Sequence, residues 1–384
     1  MNVPIDGARI AIVGGGPGGL TLARVLHVHG VDAVVYERDA SPTARAQGGS
    51  LDLHAESGQR ALREAGLEKE FLAVARREGQ DLRLLDPAGT VLLQQDTPDD
   101  APLDRPEIDR ADLRDLLIDS LPEQAVAWGR VFERATALPG GGHRLQFADG
   151  EPVDCDLLVG ADGGRSRIRP LLTGACPFHV GLNAVESGIR DIDRTHPELA
   201  AMIGRGNYWV LGSGRFLSAQ RNGDGGVRVY LGFRTPEGWL NDCGIPFDDL
   251  ERARPSLVKF FTGWAPQCAA LIEACEDRFV PRPVTMLPIG LTWAPVPGVT
   301  LLGDAAHLMP PVGQGANMAM LDAAELGLAL ATGRDDPAAA LKDYETAMFE
   351  RAAVAARESA DITKVFMSGA RDMLRFFQRP AEAR

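Results

Sequence analysis

Ile10, Ala11, Ile12 and Val13 form a continuous apolar run that ends in Gly14-x-Gly16-x-x-Gly19. Few chains can accommodate this stretch other than as a buried strand, a glycine turn and the first turn of a helix running to about His29. Each glycine has a physical reason. Gly14 permits the tight turn, Gly16 lets backbone approach a pyrophosphate, and Gly19 lets the helix pack close to the strand. The helix start then offers free N–H groups and a partial positive charge to an anion. A second apolar run, 33–36, is followed by Glu37, placed where a carboxylate can accept both hydroxyls of an adenosine ribose. Strand, turn, helix and distal acid together read as a βαβ dinucleotide-binding unit rather than as a glycine turn of purely structural origin.

At 384 residues the chain can form two domains with substantial cores. A net charge of −13 argues against a nucleic-acid partner. No segment has the uninterrupted apolar length of a membrane span, and no basic-then-apolar secretion signal opens the chain. The cysteines, Cys155, Cys176, Cys243, Cys268 and Cys275, are odd in number, scattered and without a CxxC pair. They fit reduced thiols and a cytoplasmic location, with no disulfide framework and no metal site expected.

After Glu37 comes a stretch rich in turn formers that holds Arg38, Arg45, a double glycine, Asp52 and His54. It reads equally as a surface loop with solvated arginines or as a loop folded back over a cofactor. Residues 57–75 have helical spacing, with Leu62, Leu67, Phe71 and Leu72 as the apolar stripe. Residues 82–85 and 91–93 read as a hairpin, and 108–118 as a helix with Asp109 as N-cap. Arg110 lies in that helix's first turn, where a cation opposes the dipole. It is either a plain surface arginine or one held by an ion pair or a cofactor. Strands are expected near 126–128, 131–138 and 143–147.

Two further strand ends carry chemistry. Strand 157–159 runs into Asp162-Gly163, with Ser166 and Arg169 in the helical turn beyond. This can be simply a parallel strand with an acid at its end, or a ligand site at the carboxyl edge of the sheet. The run 299–302 leads into Gly303-Asp304, then His307, Pro310, Pro311, Gly313, Gly315 and Asn317 at the entry to a helix reaching about residue 331. Asp304 can accept hydrogen bonds from polyol hydroxyls, and the free N–H groups around 313–317 favour negative charge. His307, a lone histidine, reads more readily as structural than as a proton-transfer group.

Between these signatures, 176–283 turns to alternating antiparallel patterns (208–211, 216–219, 227–231) and contains no phosphate-binding turn. The expected architecture is α/β in two domains. A Rossmann-like nucleotide-binding domain comprises 1–75, 101–175 and 284–335, and a mainly antiparallel-sheet substrate domain comprises 76–100 and 176–283. A long C-terminal helix, within 336–384, crosses the domains, and its apolar tail docks back on the body.

The three signatures, in this order, resemble the class A flavoprotein monooxygenases of hydroxybenzoate-hydroxylase-like fold. Within that class the similarity is greatest to the tetracycline-inactivating flavin monooxygenases. It rests on Val35-Tyr-Glu-Arg-Asp39, Ala44-Arg-x-x-Gly-Gly-x-Leu-Asp-Leu-His54, Arg105-Pro-Glu-Ile-x-Arg110-x-Asp-Leu-Arg114, Phe233-Arg-Thr-Pro-x-x-Trp239 and Gly303-Asp-Ala-Ala-His-Leu-Met-Pro-Pro311. The resemblance implies FAD contacts from Gly14, Gly16, Gly19, Glu37, Arg38, Asp52, Arg110, Asp162, Asp304, Pro311, Gly313, Gly315 and Asn317. It implies that Arg45 meets NADPH or a mobile flavin. Tyr208 and Arg228 fall where that family grips tetracycline with an arginine and a histidine, so the substrate is expected to differ.

The reaction implied is NADPH- and O2-dependent hydroxylation of an aromatic or polycyclic molecule through a flavin C4a-hydroperoxide, the cofactor carrying the hard chemistry. The halogenase Gly-x-Trp-x-Trp-x-Ile-Pro motif is absent. An FAD oxidase, an isoprenoid-type reductase or a non-catalytic flavin-binding protein are the rival readings.

Overall fold

The structure is a computed structural model and describes residues 5–45 and 48–379. Its first layer is a five-stranded sheet in the order Val299–Leu301, Leu157–Gly160, Ile10–Val13, Ala33–Tyr36, Val126–Ala127, with every pairing parallel. The central strands are apolar throughout because both faces of a parallel sheet are covered. On one side lie the helices Pro17–Val28 and Gln314–Thr332, packed so closely that a Cβ on Gly327 would come 2.6 Å from Val25. On the other side a three-stranded sheet, Val153–Cys155, His143–Phe147 and Phe132–Ala137, brings Phe147 to 5.1 Å from the Tyr36 ring.

The second layer is a seven-stranded sheet: Val280–Met286, Phe178–Ile189, Val227–Arg234, Arg215–Arg221, Asn207–Gly212, Leu82–Leu85, Val91–Gln95. It is antiparallel except where Asn207–Gly212 runs alongside Leu82–Leu85. Val185, Leu217, Val229, Leu231 and Phe233 point to one face, where the helices Pro197–Ile203, Leu250–Lys259 and Pro266–Ala274 bury them. The opposite face turns toward the loops of the parallel sheet. This sheet includes Val280–Met286, so the expected boundary at 283/284 falls inside a strand.

Helix Pro337–Phe366 starts on Asp336, whose side chain accepts from the Ala339 N–H at 3.0 Å. It is fastened to the parallel sheet by Tyr344, which donates to the Leu301 carbonyl at 2.9 Å. Glu345 accepts from Trp293 Nε1 at 3.0 Å and Thr300 Oγ1 at 2.8 Å. In the tail, helix Ala370–Phe377 and Phe366 cover Trp209.

Other expectations shift. The helix over 57–75 is two helices, Gly58–Glu64 and Glu68–Val74, broken where Gly66 takes φ +67°. A short strand, Glu107–Asp109, pairs with Ser50–Asp52 before the helix Arg110–Asp119 begins. No helix among the described residues is long and apolar enough to cross a membrane.

Candidate active site

Three loops leave the carboxyl edge of the parallel sheet side by side. In the first, Gly14 has φ +114°, and a Cβ there would lie 2.2 Å from the Ala161 carbonyl oxygen. A Cβ on Gly19 would lie 2.0 Å from the Gly14 oxygen. Both positions therefore require glycine for close packing. Gly16 differs: the space its side chain would occupy is open, with no atom within 4 Å. The helix behind it starts with Pro17, has no side-chain cap and no acid in its first turn, so its N–H groups are free for an anion. Glu37 is buried beside this turn, accepting from Gly15 N at 2.6 Å and Asp39 N at 2.9 Å. Arg38 is exposed, and Arg45 lies across the surface with its Nε 2.8 Å from Asp39.

The second loop holds Asp162. One carboxylate oxygen accepts from Arg167 N at 2.7 Å, while the other, Oδ1, is buried with no partner among the described residues. Burial pushes this carboxyl up, against hydrogen bonds from Ser166 and the backbone. An orphaned buried acceptor at a strand end is a position for a donor from a ligand. In the third loop, the Asp304 carboxylate has no hydrogen-bond partner among the described residues. Burial raises it, and His307, Arg110 and Arg169 oppose that rise.

Arg169 is a functional residue whose role sequence reasoning missed. It is 3% exposed, and it donates to the carbonyls of Ala305 (2.7 Å), Gly164 (2.8 Å) and Asp304 (3.2 Å). It thereby staples the second loop to the third. Arginine in the turn after Asp-Gly was the available signal.

Beyond Asp304, helix Gln314–Thr332 opens on Gly313 at φ +94°, again without a side-chain cap or an early acid. A Cβ on Gly313 would lie 3.2 Å from Asp52, and one on Gly315 3.6 Å from Asp304, so these residues converge. Asn317 does so in another way. Its Oδ1 accepts from His54 N, Ser57 Oγ and Gly58 N, and its Nδ2 donates to the Asp52 and Gly313 carbonyls. The side chain is a clamp, leaving only backbone for a ligand. Pro311 is exposed at the loop's outer turn. Arg110 is exposed, and no ion pair or hydrogen bond holds its guanidinium among the described residues.

The seven-stranded sheet faces this edge through Arg228 and Tyr230. A Cβ on Gly49 would come 2.8 Å from the Tyr230 hydroxyl, 3.1 Å from Gln220 Oε1 and 3.2 Å from Arg228 Cγ. Arg228 pairs with Asp277 at 3.1 Å. Tyr208 corrects the expectation. It is 3% exposed in the core behind the sheet, because strand alternation sends it to the helix-covered face and Trp209 to the other. Tyr230, not singled out from sequence, is the phenol on the site side, pushed up to about 12 by burial. No cluster of described residues could hold a metal. A cavity of about 730 Å³ exists at the amino ends of the same strands, lined by Asp6, Arg9, His27 and Asp32, but open parallel sheets take ligands at the other edge.

The FAD binding domain family matches residues 8–211 and 297–359. Monooxygenase asqM of Emericella nidulans is 34% identical over 83% of this chain and 82% of its own length. The structure of Klebsiella pneumoniae HpxO, complexed with FAD and uric acid, superposes with a TM-score of 0.76 at 23% identity, covering 96% of this chain and 91% of that one. Tetracycline destructase Tet(51) superposes with a TM-score of 0.74 at 18% identity, over 96% and 94% of the two chains. At these identities the two structures speak for the fold.

Proposed function

The chain belongs to the FAD binding domain family and is an FAD-dependent monooxygenase, and from that premise we propose that it uses NADPH and O2 to hydroxylate an aromatic or polycyclic, polyketide-like small molecule. The observation that carries the reading of FAD is the pair of uncapped helix starts, at Pro17 and Gln314, with the orphaned Asp162 Oδ1 and the Asp304 carboxylate between them. A long molecule with a central anion, polyol hydroxyls and an electron-accepting ring fits that sequence of groups. Glu37 takes the adenosine ribose, and Gly14, Gly16 and Gly19 let the pyrophosphate reach the first helix. Asp162 and Asp304 accept hydroxyl donors, and Arg110 adds positive charge beside them. The N–H groups at 313–317, held by the Asn317 clamp, would stabilise negative charge on the ring, and Asp52 beside Gly313 is a further proposed contact.

When bound, the flavin supplies the redox chemistry with O2. The protein's part is placement and exclusion of water. Tyr230, Gln220 and Arg228 border the substrate from the sheet face, while the apolar part of that face, Trp209 and Phe216, is covered by the C-terminal tail. The motifs shared with the tetracycline-inactivating monooxygenases support a polycyclic substrate, and Arg228, standing where that family has a histidine, supports one other than tetracycline. Arg45, exposed and paired with Asp39, is the proposed contact for the nicotinamide donor.

The test is NADPH consumption by the purified yellow protein across polycyclic phenols under 18O2. One labelled oxygen in the product is the expected result. Purification without flavin, or NADPH oxidation that yields only hydrogen peroxide with every phenol, overturns it.

A further inference from the structure

Behind the Asp304 turn lies a buried ion network that neither the fold nor the cofactor placement accounts for. Gly303 has φ +59°, and a Cβ there would sit 2.7 Å from Ala319, so the turn has one tight geometry. Its N–H donates to Asp322 Oδ2 at 3.1 Å. The same oxygen lies 2.5 Å from His307 Nε2, and Asp322 Oδ1 accepts from Arg351 at 3.2 Å. Asp322 is fully buried and His307 is 6% exposed.

The charges around the imidazole are one-sided. Asp304 faces it from its own short helix, Asp304–His307, and Asp322 from helix Gln314–Thr332. Arg351, from helix Pro337–Phe366, is shared between Asp322 and Glu325, and Glu325 also pairs with Arg60 of helix Gly58–Glu64. Tyr344 is neutral and donates to Leu301 instead. Arg169 and Arg110 act on Asp304 and are not in contact with the ring. The rest of the ring's surroundings are apolar, including Leu287, Leu308, Ala352 and Ala356. His307 Nδ1 has neither a donor nor an acceptor partner among the described residues, so the contact with Asp322 at Nε2 is what holds the charge. A ring held against Asp322, with Asp304 one turn back in the same short helix and no cation in contact, is a site for a positive charge.

We propose that His307 is a positioning residue, a buried imidazolium that neutralises Asp322 behind it and Asp304 in front, and so makes FAD retention depend on its own proton. This rests on the reading of Asp304 as an FAD contact. Burial opposes the charge and the two acids outweigh burial, raising His307 above its ordinary value. Without the proton, two recessed carboxylates lose their shared counter-charge, and the Gly303–Asp304 turn loses the field that keeps Asp304 an ionised acceptor.

The experiment uses full-length apo-protein and FAD itself. Ring 15N shifts of His307 report its protonation, and quenching of flavin fluorescence gives the FAD Kd from pH 6 to 8.5 for wild type, His307→Gln and Asp304→Asn. Expected are a doubly protonated ring at pH 7 and a wild-type Kd that is flat at low pH and weakens about tenfold as the ring titrates. His307→Gln should bind FAD about tenfold more weakly at pH 6.5, with no further pH dependence. A neutral ring at pH 6.5, or a pH slope that survives in His307→Gln, overturns the proposal. If that variant does not fold, the wild-type ring shifts and Kd profile decide alone. Asp304→Asn with wild-type affinity instead removes the FAD reading of Asp304 on which the proposal stands.

Discussion

At Glu107, burial, helped by the nearby Asp52, pushes the carboxyl up to about 7, outweighing Ser50 and Arg76, which favour the charge. The folded value exceeds the usual 4.5, so the protein takes up a proton on folding between about pH 4.5 and 7. Stability must fall as pH rises through that window. Glu107→Gln, which mimics the neutral acid, should match wild type near pH 5 and exceed it by ~2–3 kcal/mol at pH 8 in urea unfolding. A variant less stable at pH 8 than at pH 5, relative to wild type, would contradict this. His307 shares the direction of Glu107, and Asp322 opposes it. His307 is raised and Asp322 lowered, so their pairing is complete between the unfolded values of the two groups, fades as pH rises through the folded His307 value, and fades again in acid. Asp304→Ala should purify without yellow flavin absorbance; a fully flavinated, active variant would remove Asp304 from the site. The residues legible in sequence were those whose backbone demands are local, such as Gly14 and Gly19. Tyr208 was misplaced because a one-residue slip in a strand exchanges faces, and nothing local distinguishes Tyr208 from Trp209.

Elements were legible where burial follows a simple period. The parallel strands are unbroken apolar runs, and the helices at 17–28 and 314–332 follow glycine turns. Strand Phe178–Ile189 was not found. Its apolar pattern is interrupted by Gly181, Asn183, Glu186, Ser187 and Gly188, which the fold supports through tertiary contacts. Asn183 donates to Thr235 Oγ1 at 2.9 Å and Ser187 to the Asp277 carbonyl at 2.7 Å, partners that no local window contains. The Asn317 clamp joins elements in the same way, tying a helix start to the 52–58 turn across more than half the chain. Its side chain is 1% exposed, and Asn317→Ala leaves several buried donors and acceptors unmet. A loss of about 2–4 kcal/mol in denaturant unfolding, with weaker FAD binding, is the expected outcome. A loss below about 1 kcal/mol would show that the clamp is redundant.

At the scale of the whole molecule, three sequence-distant segments build one sheet edge, and a sheet from the intervening chain faces it. The C-terminal helix holds the arrangement through Tyr344 and Glu345, and its tail covers Trp209. Trp209→Ala should cost about 2–3 kcal/mol and make the 366–379 segment the first site cut in limited proteolysis. A tail no more sensitive than in wild type would contradict its docking on that ring. The order of the three signatures was readable in sequence because each is a strand end with its own turn chemistry. The packing of the second sheet against them was not, since it depends on contacts such as Gly49 with Tyr230 that join segments some 180 residues apart.

The most direct measurement is a crystal structure of the protein with FAD. The account predicts one extended dinucleotide, its adenosine ribose on Glu37, its pyrophosphate at Gly16, its polyol chain on Asp304 and its ring before the N–H groups at 313–317. FAD lodged in the crevice beside Arg9 and Asp32, or reaching only one of the three loops, would contradict it.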